Sequence, residues 1–345
     1  MRVAVIGAGI SGCVAARELL KANYRVLLIE KSVSIGGRLA TRRVGETNYL
    51  NADTGAQFIT ARSDTFKEHF IQPGLDDGYL HVWSMGGFSH TNLGQSIKEN
   101  HPRYSSSLGL NGLVKHSFSD IFVHPNCTIH LNTKVNSITY NEQMIFQLKM
   151  DSKDIIECNH IFITLPLPQA VPLIKNLFHD SSFKCNLPKI EALAEAKYYD
   201  PCLCLILVLP TFLAKTLISS PKGARRITAD PVIQWMASNN SKGMSLPKSE
   251  GLDAITIHCN SNFSKENYDL SDEAISEKIL SSPLLQPYRD AIQSQSVKKW
   301  KYAVPLIASS SKAEEITLED SVRIDCLKIR SMSHFILQQA LHLYT

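Results

Sequence analysis

The sequence predicts an α/β protein: a Rossmann-type domain built on a βαβ unit, interleaved with a second, mixed-sheet domain. Three observations predict it. A β-branched run at the N-terminus breaks into glycines at G-x-G-x-x-G spacing, and a second apolar run ending in an acid completes a unit of about 30 residues. Further strand-like runs recur much later, with no proline- or serine-rich linker and no repeat to separate them from the first domain. The two domains are therefore expected to interleave rather than follow one another.

Each element has its own reason. Residues 2–7 (RVAVIG) read as a strand, 10–22 as a helix with Val14, Leu19 and Leu20 on its apolar side, and 25–30 (RVLLIE) as a second strand. Residues 31–62, holding "SIGGRLATRR" and "NADTGAQFIT", read as loop. Residues 128–150 alternate like a β-meander, and Ile161–Leu165 is an apolar strand. Residues 200–209, 231–237 and 253–259 read as strands of another sheet. Residues 272–282 and 331–343 are helix-spaced, the latter through Phe335, Leu337, Ala340 and Leu341.

Composition narrows the function classes. At 345 residues the chain exceeds the usual single domain, and 44% hydrophobic with 20% charged residues is globular. A net charge of +4, with no concentrated Lys/Arg run, gives no case for a nucleic-acid or anionic-membrane partner. The longest apolar run, Cys202–Pro210, falls short of the ~18 residues that span a bilayer and suits a buried strand. The apolar N-terminus lacks a small-residue cleavage site, so Met1 is read as the start of the mature chain. The eight cysteines include no C-x-x-C and no zinc spacing, as for reduced thiols of a cytoplasmic protein.

The glycines carry the chemistry. Gly7 permits the turn out of the strand, Gly9 lets backbone approach a pyrophosphate, and Gly12 lets the helix pack closely on the sheet. The helix N-terminus, with Ile10 and Ser11, offers free N–H groups to phosphates. Glu30 lies 18 residues after Gly12, where an acid accepts from ribose hydroxyls, so NAD or FAD is favoured over NADP.

Gly36-Gly37-Arg38, six residues after the acid, resembles the loop of glutathione-reductase-type FAD proteins of the amine oxidase clan. Within that clan, "NADTGAQFIT" (51–60), "PRYSSSLGLNGLVKHS" (102–117), "TKVNSI" (133–138) and "FITLPLPQA" (162–170) resemble the renalase-like FAD-dependent oxidoreductases. "YYDPCLCLIL", "IQWMASNNSKG", "AITIHCNS" and "VKKWKYAVP" fit in the same order, so the likeness runs to about residue 305. The resemblance implies FAD as cofactor, held by Gly7, Gly9, Ile10, Ser11, Gly12, Glu30, Lys31, Gly37, Arg38, Ala56, Gln57, Phe58, Val135 and Thr164. It implies residues 1–65, 102–170 and 300–345 as the cofactor domain, with 66–101 and 171–299 as the substrate domain.

The implied chemistry is hydride removal from an isomeric dihydro-NAD(P) by flavin, with O2 reoxidation to hydrogen peroxide. The cofactor carries that reaction, and Gln57, Trp83, Trp235, His258, Trp300 and Tyr302 are the side chains expected around the substrate. An amine oxidase of the same clan, and a non-catalytic flavin- or nucleotide-binding protein, are the alternatives. The second arises because the family's Gly-Gly-Asp element is missing: no glycine follows Gly251, and Asp325 in "VRIDCLK" has none before it. A diverged working site, a frameshifted C-terminus and a chain that no longer oxidises anything all remain open on the sequence.

Overall fold

The computed structural model describes residues 1–45, 50–88, 101–143, 145–175, 177, 191, 199–244 and 251–306. The described residues form two compact units: those within Met1–Gly37, Val114–Tyr199 and Pro305–Thr345 in one, those within Arg38–Leu113 and Asp200–Val304 in the other. Compactness thus divides the chain after Gly37 and Leu113, whereas the expected cofactor domain breaks after residues 65 and 170.

In the first unit four parallel strands lie in the order His160–Ile163, Arg2–Ile6, Arg25–Ile29, Cys127–His130. Val3–Ile6 and Val26–Ile29 are buried throughout, because a parallel sheet is covered on both faces and needs continuous apolar runs. The helix Ile10–Lys21 buries Cys13, Ala16, Leu19 and Leu20, while Val14 is only partly covered. The small residues Cys13 and Ala16 take the place expected of Val14. A three-stranded antiparallel sheet (Val135–Tyr140, Phe146–Met150, Ile155–Cys158) adds Ile138, Phe146 and Leu148 to the core formed with Ala4, Ile6, Leu27 and Ile29. The expected meander over 128–150 is corrected here: Cys127–His130 pairs with Arg25–Ile29 in the parallel sheet, and only 135–150 runs antiparallel.

The second unit centres on a five-stranded sheet in the order Ala224–Arg226, Ile233–Ser238, Leu252–Cys259, Tyr199–Pro210, Ser294–Pro305. Its strand Tyr199–Pro210 is apolar and buried from Cys202 to Leu209 because both faces are covered. Leu203, Leu205, Leu207 and Leu209 pack with residues of the helices Thr211–Ile218 and Asp272–Leu280. Cys204, Ile206 and Val208 pack on Val44, Leu50 and Ala52. Those last residues correct the loop expected over 31–62, for Thr41–Val44 and Leu50–Asp53 form an antiparallel hairpin. A second hairpin pairs Leu80–Met85 with Pro102–Ser106. The helix expected at 331–343 and the tail around Asp325 lie outside the described residues.

Candidate functional site: a glycine cradle and a clamped loop

The first unit carries the cradle. Gly7 leaves the strand at φ +99°, and its N–H donates to the Ile29 carbonyl at 2.8 Å. A Cβ on Gly12 would lie 1.9 Å from the Gly7 carbonyl oxygen, so the helix can sit against the turn only with hydrogen there. Thr164 closes the turn from the neighbouring strand, its hydroxyl donating to the Gly7 carbonyl at 2.9 Å. Gly36 donates to the Ala8 carbonyl at 2.8 Å and bridges Gly9, so the second glycine pair packs directly on the first.

Glu30 is buried at the end of the second strand. Its carboxylate accepts from the Ala8 N–H and the Ser32 N–H, both at 2.9 Å. The Thr133 N–H donates to the Glu30 carbonyl, which brings the chain of Val135 to the same end of the sheet. Lys31 beside it is exposed.

These residues fit a dinucleotide. The helix starts at Gly9 with no side-chain cap and no acid in its first turn, leaving its N–H groups and positive dipole end for phosphates. Glu30 retains lone pairs for ribose hydroxyls, since each carboxylate oxygen accepts one backbone N–H. Cys13 in the same helix is no reactive group, its thiol being pushed up to about 12 by burial.

The second unit carries the other predicted residues on one loop, Asp53-Thr54-Gly55-Ala56-Gln57-Phe58. The Ala56 N–H donates to the Arg38 carbonyl at 3.0 Å, and a Cβ on Gly55 would fall 2.0 Å from that same oxygen. Arg38 in turn donates from Nη1 to the Ala303 carbonyl at 3.1 Å. The Gln57 amide nitrogen donates to the carbonyls of Asp53 (2.7 Å) and Gly55 (3.1 Å).

His258 and Trp300, expected to face a substrate, spend their polar tips on this loop. The Thr54 carbonyl accepts from Trp300 Nε1 at 2.8 Å and from His258 Nε2 at 3.1 Å. A carbonyl only accepts, so His258 is the Nε2–H tautomer, and burial pushes its pKa down to about 4. Tyr302 follows on the same strand as Trp300, with Lys301 Nζ 5.9 Å from its ring centre.

Sequence reasoning missed two residues here. Lys242 is fully buried, donates to Gln57 Oε1 at 2.9 Å and lies 3.5 Å from Asp53 Oδ2. Burial pulls its pKa down, against the opposing pull of Asp53. Asp53 Oδ1 accepts from the Thr41 hydroxyl at 2.6 Å and the Leu110 N–H at 3.0 Å. A buried carboxylate and lysine 189 positions apart leave no local signal.

Beside Lys242 stands an aromatic cluster of Phe58, Trp83, Phe88 and Trp235, with ring centres 4.6 to 6.5 Å apart. Lys242, Arg103 and Lys222 lie over its Trp83, Phe58 and Phe88 rings at 5.3, 5.5 and 5.9 Å. The indole nitrogens of Trp83 and Trp235 are buried without a hydrogen-bond partner among the described residues. Such donors suit a flat group that brings its own acceptor.

The glycine cradle and sheet define the class first: residues 5–71 match a family model described as an NAD(P)-binding Rossmann-like domain. Solved structures extend the fold to most of the chain. A reduced UDP-galactopyranose mutase superposes with TM-score 0.61 at 11% identity, over 88% of this chain and 82% of that one. A putrescine oxidase triple mutant gives 0.59 at 12% identity, over 86% and 84%. In sequence the chain is similar to mouse (Mus musculus) renalase, 23% identical over 332 residues, 92% of this chain and 89% of renalase. A 60-residue stretch is 43% identical to an Arabidopsis thaliana lysine-specific histone demethylase 1 homolog, over 17% of this chain and 7% of that protein. Along most of its length the chain is similar to the renalase-like FAD-dependent oxidoreductases. Among the described residues no helix is long and apolar enough to cross a membrane.

Proposed function

We propose that this chain oxidises a small, neutral, carboxamide-bearing reduced ring, an isomeric dihydro-NAD(P), rather than an amine. When bound, FAD supplies the hydride acceptor and O2 completes the cycle as hydrogen peroxide. The chain's own residues bind and orient. Gly7, Gly9, Gly12 and Glu30 hold the dinucleotide portion, and the clamped loop Asp53–Phe58 receives the ring system. We assign residues 1–65, 102–170 and 300–345 to the cofactor and 66–101 with 171–299 to the substrate.

The observation that carries the substrate reading is the pair of indole N–H groups, Trp83 Nε1 and Trp235 Nε1, that have no partner among the described residues. A carboxamide carbonyl accepts from such donors. A protonated amine has only donors, and it would meet Lys242, Arg103 and Lys222 around the same rings. The likeness to renalase along most of the chain supports the same choice. The buried free cysteines Cys13, Cys158, Cys202, Cys204 and Cys259 support a reducing compartment, hence the cytoplasm.

Anaerobic mixing tests this. The FAD-loaded protein is mixed with 6-dihydro-NAD and, separately, with benzylamine, while the visible flavin band is followed. Bleaching by 6-dihydro-NAD alone is expected, and bleaching by the amine alone would overturn the substrate. Trp235→Phe keeps an aromatic ring, though a smaller one, and removes the donor. It should raise the KM for 6-dihydro-NAD about fivefold to tenfold, as for one lost hydrogen bond.

A further inference from the structure

Lys242 has no step in the reaction proposed above, yet its burial is complete. Removing an ammonium from water costs several kcal/mol, and a methionine of similar length would fill the space without that penalty. What the charge does can be read from its contacts. The Gln57 side chain has one allowed orientation, because its amide nitrogen faces the carbonyls of Asp53 and Gly55. Its oxygen must therefore meet a donor, and Lys242 Nζ is that donor at 2.9 Å. The same ammonium faces Asp53 Oδ2, whose partner oxygen holds Thr41 and the start of the helix Gly109–Ser117 through Leu110. Residues 53 and 57 of the loop thus converge on one cation.

We propose that Lys242 is a positioning residue: through the Gln57 carboxamide and the Asp53 carboxylate it fixes the shape of the loop Asp53–Phe58 that receives the flavin. This rests on the FAD reading, but the shape itself can be measured in the cofactor-free protein.

Lys242→Met alone leaves the Asp53 carboxylate buried without its cation, and it is expected to melt well below wild type. The double variant Asp53→Asn/Lys242→Met removes both charges and should recover most of the melting temperature. Fold stability and loop shape are then separated. In the double variant, amide hydrogen exchange over residues 53–58 of the cofactor-free protein should rise about tenfold, the scale of one lost charged hydrogen bond. Exchange over the core strand residues 203–209 should stay at the wild-type rate. The Kd for FAD should rise by a similar factor, and the visible band of bound flavin should shift.

Wild-type exchange over 53–58 in a double variant that melts like wild type would overturn the role of Lys242, whether or not FAD binds. Wild-type protein that binds no FAD would instead overturn the oxidase reading, and the exchange result would still decide the positioning role.

Discussion

His258 turns burial into a measurable acid response. Its imidazole sits at about 4 in the folded chain against 6.5 when free, because burial disfavours the charged form. Between those values the unfolded chain holds a proton that the folded chain refuses, so the unfolded state gains on acidification. The contribution is complete above pH 6.5, is lost as pH falls toward 4, and is flat below. A gap of about 2.5 units at 1.36 kcal/mol each is about 3 kcal/mol. Asp253, pushed up by burial, acts with the opposite sign above 3.8, since there the folded chain keeps the proton longer. Comparing wild type with His258→Gln cancels Asp253 and the other carboxylates. Glutamine keeps a donor for the Thr54 carbonyl but does not titrate. Urea denaturation at half-unit steps from pH 4 to 7.5 should show wild type losing about 3 kcal/mol more than the variant over that span. Parallel curves would refute the assignment of a half-buried, neutral His258.

Two further substitutions test the cradle. Gly12→Ala places a Cβ 1.9 Å from the Gly7 carbonyl oxygen, with backbone rather than a flexible side chain in the way. It should lower stability by about 2 kcal/mol or more and abolish FAD binding, as read by urea denaturation and flavin fluorescence titration. Glu30→Gln puts an NH2 where one of two N–H groups, Ala8 or Ser32, now finds an acceptor. It should cost about 1–3 kcal/mol without cofactor and weaken FAD binding as well, measured by thermal melts with and without FAD.

The parts that the sequence announced are the local ones. Gly7, Gly9, Gly12 and Glu30 lie within one βαβ unit, where spacing alone defines the geometry. The long strand Tyr199–Pro210 was legible because the uninterrupted apolar run Cys202–Pro210 within it has few other places to go. The hairpin Thr41–Val44 with Leu50–Asp53 was not, since strands of four residues reading TRRV and LNAD show no alternation. Cys127–His130 looked like the start of a meander because nothing in its four residues reveals a parallel partner a hundred positions earlier. At the site, residue type identified His258 and Trp300 as polar-tipped, but only the fold shows both tips meeting at one carbonyl. Lys242 was invisible for the same reason: its charge acquires meaning only beside Asp53 and Gln57.

The central claim is that the cradle around Gly7–Gly12 and Glu30 holds FAD. The visible spectrum of the purified protein, recorded before and after adding FAD and removing the excess, tests it most directly. A retained flavin band, present from the start or acquired on addition, is the predicted result. A colourless protein that FAD cannot turn yellow would contradict it.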